Sequence, residues 1–242
     1  MAEAFAKLKE SFIFNFIEGA RWKYITNGLW VTLKVTFFAL LIGIVIGVVV
    51  AMIRSSYDKM KDEMRPGLGK TLMTILNTIC RVYLTVIRGT PVVVQLLIGY
   101  FVIFVSTTNT VFVASMVFGI NSGAYITEII RGGIMSIDNG QFEAGRSLGF
   151  NYFQTMRFII IPQAFKNVLP SLANEFIALL KETAVSGYIG LMDLTKGGDV
   201  IRGRTFSAFM PLIAVALIYL ALVMFFTWLI GKLERRLRSS ER

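Results

Sequence analysis

Long apolar runs alternate along this chain with short polar segments in which lysine and arginine gather. The first stretch differs from the rest. Phe5, Leu8, Phe12, Phe16 and Ile17 recur at helical spacing with Lys7, Lys9, Glu10 and Glu18 between them, which predicts an amphipathic helix over residues 2–24, and residues 1–26 as a segment lying at a membrane interface. Residues 28–53 are the first run long enough to cross a bilayer. They contain Gly43 and Gly47 at a spacing that lets another helix come close, and Lys34 near the start can snorkel to the interface. The polar stretch 54–70 sets Arg54, Lys59, Lys61, Arg65 and Lys70 against Asp58, Asp62 and Glu63 and is expected in the cytoplasm.

Residues 71–88 are apolar but cut by Asn77, Arg81 and Arg88, which predicts an amphipathic piece lying along or entering the inner face. After Arg88-Gly89-Thr90-Pro91 the chain is expected to run outward over 92–105, turn over 106–110 and return over 111–130. It leaves again over 169–188, makes an external loop with a short helix over 189–209, and spans inward over 210–230. Lys232, Arg235, Arg236 and Arg238 then hold the tail, residues 238–242, in the cytoplasm. The prediction is an all-α membrane protein of five transmembrane helices with one transmembrane domain over 27–237, its N-terminus outside and its C-terminus cytoplasmic.

Composition agrees. A hydrophobic content of 55% and a mean hydropathy of +0.66 exceed what a water-soluble core requires. The net charge of +10 raises nucleic acid as a partner, but the basic residues lie between apolar runs, where membrane topology accounts for them, and no nucleic-acid partner is expected. There is no histidine, and Cys80 stands alone, so no intrachain disulfide can form. No catalytic constellation and no metal site are expected. The opening residues lack the uninterrupted apolar core of a cleavable signal, so the first spanning run is expected to remain as an anchor. Gly67-Leu68-Gly69-Lys70-Thr71 has the tail of a phosphate-binding loop, yet Met64 stands where the first glycine belongs and no strand precedes it. It reads as a linker starting a helix.

The polar load of residues 169–188 is uncommon for a span: Asn174, Glu175, Lys181, Glu182 and Thr183. Charge at membrane depth marks either a functional site or a structural ion pair, and the pattern leaves both open. The other distinctive stretch is Glu143-Ala144-Gly145-Arg146-Ser147-Leu148-Gly149, followed by Ile159-Ile160-Ile161-Pro162-Gln163. It predicts helix, break, helix. Asp138-Asn139-Gly140 supplies a turn, Gly149 can take the positive φ that closes a helix, and Pro162 is expected to end the second piece. Leu148, Phe150, Tyr152 and Phe153 cluster about the glycine with Arg146 and Arg157 beside them. Such a segment is either a docking knob for a partner or a hairpin covering the end of the bundle.

This run resembles the EAA loop of ABC-importer permease subunits, with Glu143, Ala144, Gly149, Ile159 and Pro162 in place, Gly145 where the third alanine would stand and Ile161 where leucine would. Arg88-Gly89-Thr90-Pro91 with Gln95, and Ser122-Gly123-Ala124-Tyr125 running through Glu128 to Arg131-Gly132-Gly133, resemble the polar amino acid branch of that family. The resemblance implies a type I importer fold with a cytoplasmic coupling helix, in a bacterial cytoplasmic membrane. It implies a second permease subunit, the same chain or a relative, two ATP-binding cassette subunits, and an extracytoplasmic substrate-binding protein. ATP and magnesium would be held in the partner subunits, with no cofactor and no enzymatic activity in this chain. It further implies coupling to the ATPase through Glu143, Ala144, Gly145, Arg146, Gly149, Phe150 and Tyr152, and substrate contact by Glu175, Asn174, Gln95, Thr90 and Glu128. The substrates would be polar amino acids, with a slight preference for cationic ones. The rival class is a self-sufficient secondary carrier driven by an ion gradient through Glu128, Glu175 or Glu182.

Overall fold

The computed structural model describes residues 2–61 and 64–239, and among these every regular element is helical. In chain order the α-helices are α1 (Ala2–Phe12), α2 (Trp22–Met60), α3 (Leu68–Gly89), α4 (Val92–Ile98), α5 (Thr110–Met135), α6 (Asn139–Ser147), α7 (Tyr152–Thr155), α8 (Ile161–Glu182), α9 (Leu194–Thr205) and α10 (Phe209–Ser239). Wider π-type turns at Ile13–Ile17, Gly99–Ile103 and Met156–Ile160 extend α1, α4 and α7. Asp62 and Glu63 of the polar stretch and residues 240–242 of the expected tail lie outside the described residues.

Four helices among the described residues are long and apolar enough to cross a membrane: α2, α3, α5 and α10. The first, third and fourth carry the runs expected at 28–53, 111–130 and 210–230. α3 was expected to be an amphipathic piece lying along or entering the inner face. Its polar residues lie on one stripe, so 22 residues of helix still have the length and apolarity of a span. The expected run at 92–105 is a shorter apolar helix over Val92–Ile103. The run at 169–188 falls on α8 and the 3₁₀ turn Thr183–Ile189, where the polar load keeps α8 out of the apolar class. At the N-terminus the expected 2–24 helix is broken at Gly19 and Ala20, which take φ of 60° and 50°.

The chain divides into two compact units, to both of which α2, α5, α8 and α10 contribute. One comprises Met1–Ala39, Val92–Phe118 and Ile177–Trp228. Its core gathers Phe16, Ile25, Leu194, Ile201 and Val215. Buried Asn15 accepts a hydrogen bond from Thr205 Oγ1 at 2.9 Å, so the segment after α1 is tied to the end of α9. α9 starts where Asp193 accepts from the backbone N–H groups of Thr195 and Lys196, an N-cap. Gly28 lets the Asp193 carbonyl in so close that a Cβ would stand 2.5 Å from it.

The other unit comprises Leu40–Pro91, Gly119–Phe176 and Leu229–Arg242. Here Gly43 and Gly47 serve internal packing: a Cβ at Gly47 would stand 2.5 Å from Ile126 of α5, and one at Gly43 3.2 Å from the same side chain. Tyr83 of α3 donates to the Ile120 carbonyl of α5 at 2.6 Å. A second cluster, Ile134, Ile137, Ile160 and Ala164, anchors α5 to the helical piece that follows the 139–155 segment.

Candidate functional site

The segment 139–155 is built by local rules from end to end. Asp138 caps α6 by accepting from the Gly140 N–H. α6 closes at Gly149, whose φ is +80°. Gly149 donates to the Arg146 carbonyl and Phe150 to the Gly145 carbonyl, the paired bonds of a Schellman close, in which a left-handed residue satisfies the last carbonyls of the helix. Asn151 then caps α7 in a reciprocal capping box with Gln154. The break therefore has a fixed geometry. Pro162 does not end the second helix, contrary to the expectation from sequence. It stands in the first turn of α8, directly after the π-type turn 156–160, whose extra width makes room for a ring that would otherwise strike the carbonyl four residues back.

Of the expected coupling residues, Glu143, Arg146 and Tyr152 line one cavity of about 300 Å³ with Lys59, Asn139, Phe142 and Thr155. Lys59 reaches it from α2, its ammonium 4.3 Å from the centre of the Phe142 ring and 3.3 Å from Asn139 Oδ1. Tyr152 bonds Ser56, and burial pushes its phenol above the ordinary value. Gly145 is buried against α7, where a Cβ would come within 2.6 Å of Thr155. Phe150 sits 6.1 Å from the Phe158 ring. Ala144 is exposed, and Leu148, Phe153 and Phe158 are exposed at 70%, 71% and 60%. Apolar side chains so presented beside Arg157 and Glu143 have the anatomy of an interface anchor within a polar rim. Lys59, Ser56 and Thr155 were not identified from sequence. Nothing local in 54–60 signals that it meets a segment some eighty residues on, as the Lys59–Asn139 pair does.

The expected substrate residues do not form one cluster. Glu175 accepts from Ser122 Oγ at 2.7 Å, and Ser122 is fully buried. Asn174 beside it is exposed. Glu128 takes part in a different network, 3.6 Å from Arg88 and 3.5 Å from Arg131, which in turn reaches Asp58 at 2.8 Å. Thr90 closes α3 in an extended conformation and donates its hydroxyl to the Val86 carbonyl. Gln95 lies on α4, half-buried, in the other compact unit. Ser122 was within the motif quoted from the sequence. Its role as the partner of Glu175 depends on a contact between α5 and α8 that periodicity cannot supply.

Residues 68–239 match the family described as "Binding-protein-dependent transport system inner membrane component". The chain belongs to that family, and it is the multi-pass, membrane-embedded permease subunit of an ABC transport system. Among individual relatives, the arginine transport system permease protein ArtQ of Bacillus subtilis is 36% identical over 221 residues, which is 90% of this chain and 94% of the relative. The putative glutamine transport system permease protein GlnP of Rickettsia typhi is 36% identical over 217 residues, 88% and 93% of the two chains. The glutamine transport system permease protein GlnP of Escherichia coli K12 is 39% identical over 168 residues, 68% and 77%. Among solved structures, a crystal structure of an amino acid ABC transporter with histidines aligns with a TM-score of 0.79 at 38% identity, covering 91% of this chain and 98% of that one. The inward-facing MetNI methionine ABC transporter, at 21% identity, shares the fold with a TM-score of 0.74 over 89% and 97% of the chains.

Proposed function

We infer that this chain is the permease subunit of an ATP-driven importer of polar amino acids, and that the 139–155 segment docks onto a separate ATPase subunit. The observation that carries the reading is the rigid helix–break–helix with exposed Leu148 and Phe153, in a chain whose relatives are named for glutamine and arginine transport. The ATPase binds ATP and magnesium and closes. The docked segment moves with it, and the bundle alternates between inward and outward openings. Two permease subunits, this chain twice or with a sister chain, pair with two ATPases and receive substrate from an extracytoplasmic binding protein. The N-terminus lies outside with residues 2–24 at the interface, and the C-terminus is cytoplasmic. Glu175, oriented by Ser122, faces the ammonium or a cationic side chain of the substrate, because a charge taken into a low-dielectric site needs a partner.

The test is uptake of labelled glutamine and arginine into proteoliposomes holding the permease, its ATPase and its binding protein. Uptake that requires ATP and survives dissipation of ion gradients is the expected result. Uptake driven by an ion gradient without ATP would establish the secondary carrier instead. In the same assay Glu175→Gln should lower uptake by about a hundredfold or more while the ATPase subunit still co-purifies, since breaking a buried charge pair typically costs about 3–5 kcal/mol. Unchanged uptake and unchanged preference would make Glu175 a structural residue.

A further inference from the structure

α3 carries two exposed stripes of opposite character. Leu72, Ile75, Ile79, Val82 and Val86 form one, each more than half exposed and suited to lipid. Thr71, Thr74, Thr78, Arg81, Thr85 and Arg88 form the other, spaced alternately three and four residues apart and all exposed. The hydroxyls of Thr71, Thr74 and Thr78 donate to the carbonyls four residues back, those of Gly67, Lys70 and Thr74. The two arginines cannot be satisfied that way, and at membrane depth ionisable side chains turn toward water or protein rather than lipid.

The upper part of this stripe opens a cavity of about 360 Å³ whose lining includes Arg54, Arg81, Leu84, Thr85, Arg88 and Glu128. Three guanidinium groups face one carboxylate, and that carboxylate is shared, at 3.6 Å from Arg88 and 3.5 Å from Arg131. Both distances are longer than those of a charge-assisted hydrogen bond. Arg54 gives one terminal nitrogen to Asn77 Oδ1 at 3.2 Å, while its Nε is buried with no hydrogen-bond partner among the described residues. The cavity thus has excess positive charge and forked groups that match a planar two-oxygen anion.

The geometry points to a carboxylate-binding station for the amino acid in transit at Arg54, Arg81 and Arg88, one that favours substrates without a second positive charge. A lipid phosphate would satisfy the same donors, and the experiment separates the two sources. The inference rests on the importer reading above, and it turns the slight preference for cationic substrates drawn from Glu175 toward neutral and acidic ones.

The experiment is ATP-driven uptake by the reconstituted complex in phosphatidylcholine vesicles, with labelled glutamine, glutamate and arginine. Every permease variant uses the same binding protein, so selectivity contributed by that protein cancels. Arg81→Glu should lower the ratio of glutamine or glutamate uptake to arginine uptake by about tenfold, the effect of roughly 1.4 kcal/mol, and Arg81→Lys should restore much of it. A ratio within twofold of wild type in Arg81→Glu would overturn the proposal. If Arg81→Glu fails to assemble with the ATPase, Arg81→Gln and Arg54→Lys read the same ratio with the same criterion. An effect seen only after adding phosphatidylglycerol, with the ratio unchanged, would assign the cavity to a lipid headgroup and overturn the carboxylate. If the wild type imports no amino acid, it is the importer reading that fails and this inference with it. An importing wild type with an indifferent Arg81 refutes this inference alone.

Discussion

Gly145 is the residue at which the EAA pattern expects alanine, and its environment explains the exchange. A Cβ there would stand 2.6 Å from Thr155 Cγ2 and 2.7 Å from its Oγ1, and a β-branched side chain has little rotamer freedom to retreat. Alanine gains about 1 kcal/mol of helix propensity over glycine, but overpacking a tight contact typically costs about 1–3 kcal/mol. Gly145→Ala should therefore lower the melting temperature of the purified complex, and Gly145→Ala combined with Thr155→Ser, which removes the methyl, should recover part of it. A single mutant as stable as wild type would show that α6 and α7 are not held at this point.

Between spans, the helix α9 is organised by its cap. Asp193 is 1% exposed and outside the spanning segments, and burial lifts its carboxyl from 3.8 to about 6 against the opposing hydrogen bonds from Lys196 and Thr195. The folded-state value lies above the unfolded one, so the folded protein binds the proton more tightly. This contribution is most favourable below about pH 4 and is lost as the pH rises to about 6. An asparagine at this position keeps an acceptor for the cap and removes the titration. Asp193→Asn should gain stability on wild type between pH 4.5 and pH 7, by up to about 3 kcal/mol for a two-unit shift, read as a growing gap in melting temperature. A gap that is the same at both pH values would contradict this account. Asp199, nearby on α9, has its carboxyl lowered by hydrogen bonds from Arg202 and Lys196 and titrates in both proteins, so it cancels in the difference.

For the molecule as a whole, what could be read from sequence followed short-range chemistry. The apolar runs marked α2, α5 and α10, Arg88-Gly89-Thr90-Pro91 marked the break between α3 and α4, and Asp138 and Gly149 marked both ends of α6. Pro162 misled because a proline taken alone signals an end, whereas a wide turn just before it lets the helix continue through Glu182. α3 was legible as amphipathic, since on the helix its arginines share one stripe and leave an apolar stripe beside it. The Ser122–Glu175 and Lys59–Asn139 contacts were illegible for a different reason: each joins helices far apart in sequence, and a single chain's periodicity does not encode which faces meet. The 139–155 segment was legible because its caps and its break are set by neighbouring residues, and the coupling role proposed for it can be tested at Gly149. With φ at +80°, a β-branched residue is strongly disfavoured there. In reconstituted proteoliposomes, with ATP hydrolysis and substrate uptake measured on the same sample, Gly149→Val should insert in the membrane and yet lose uptake, with the ATPase either released or hydrolysing ATP without transport. Normal uptake coupled to normal hydrolysis in Gly149→Val would contradict the assignment of residues 139–155 as the coupling element.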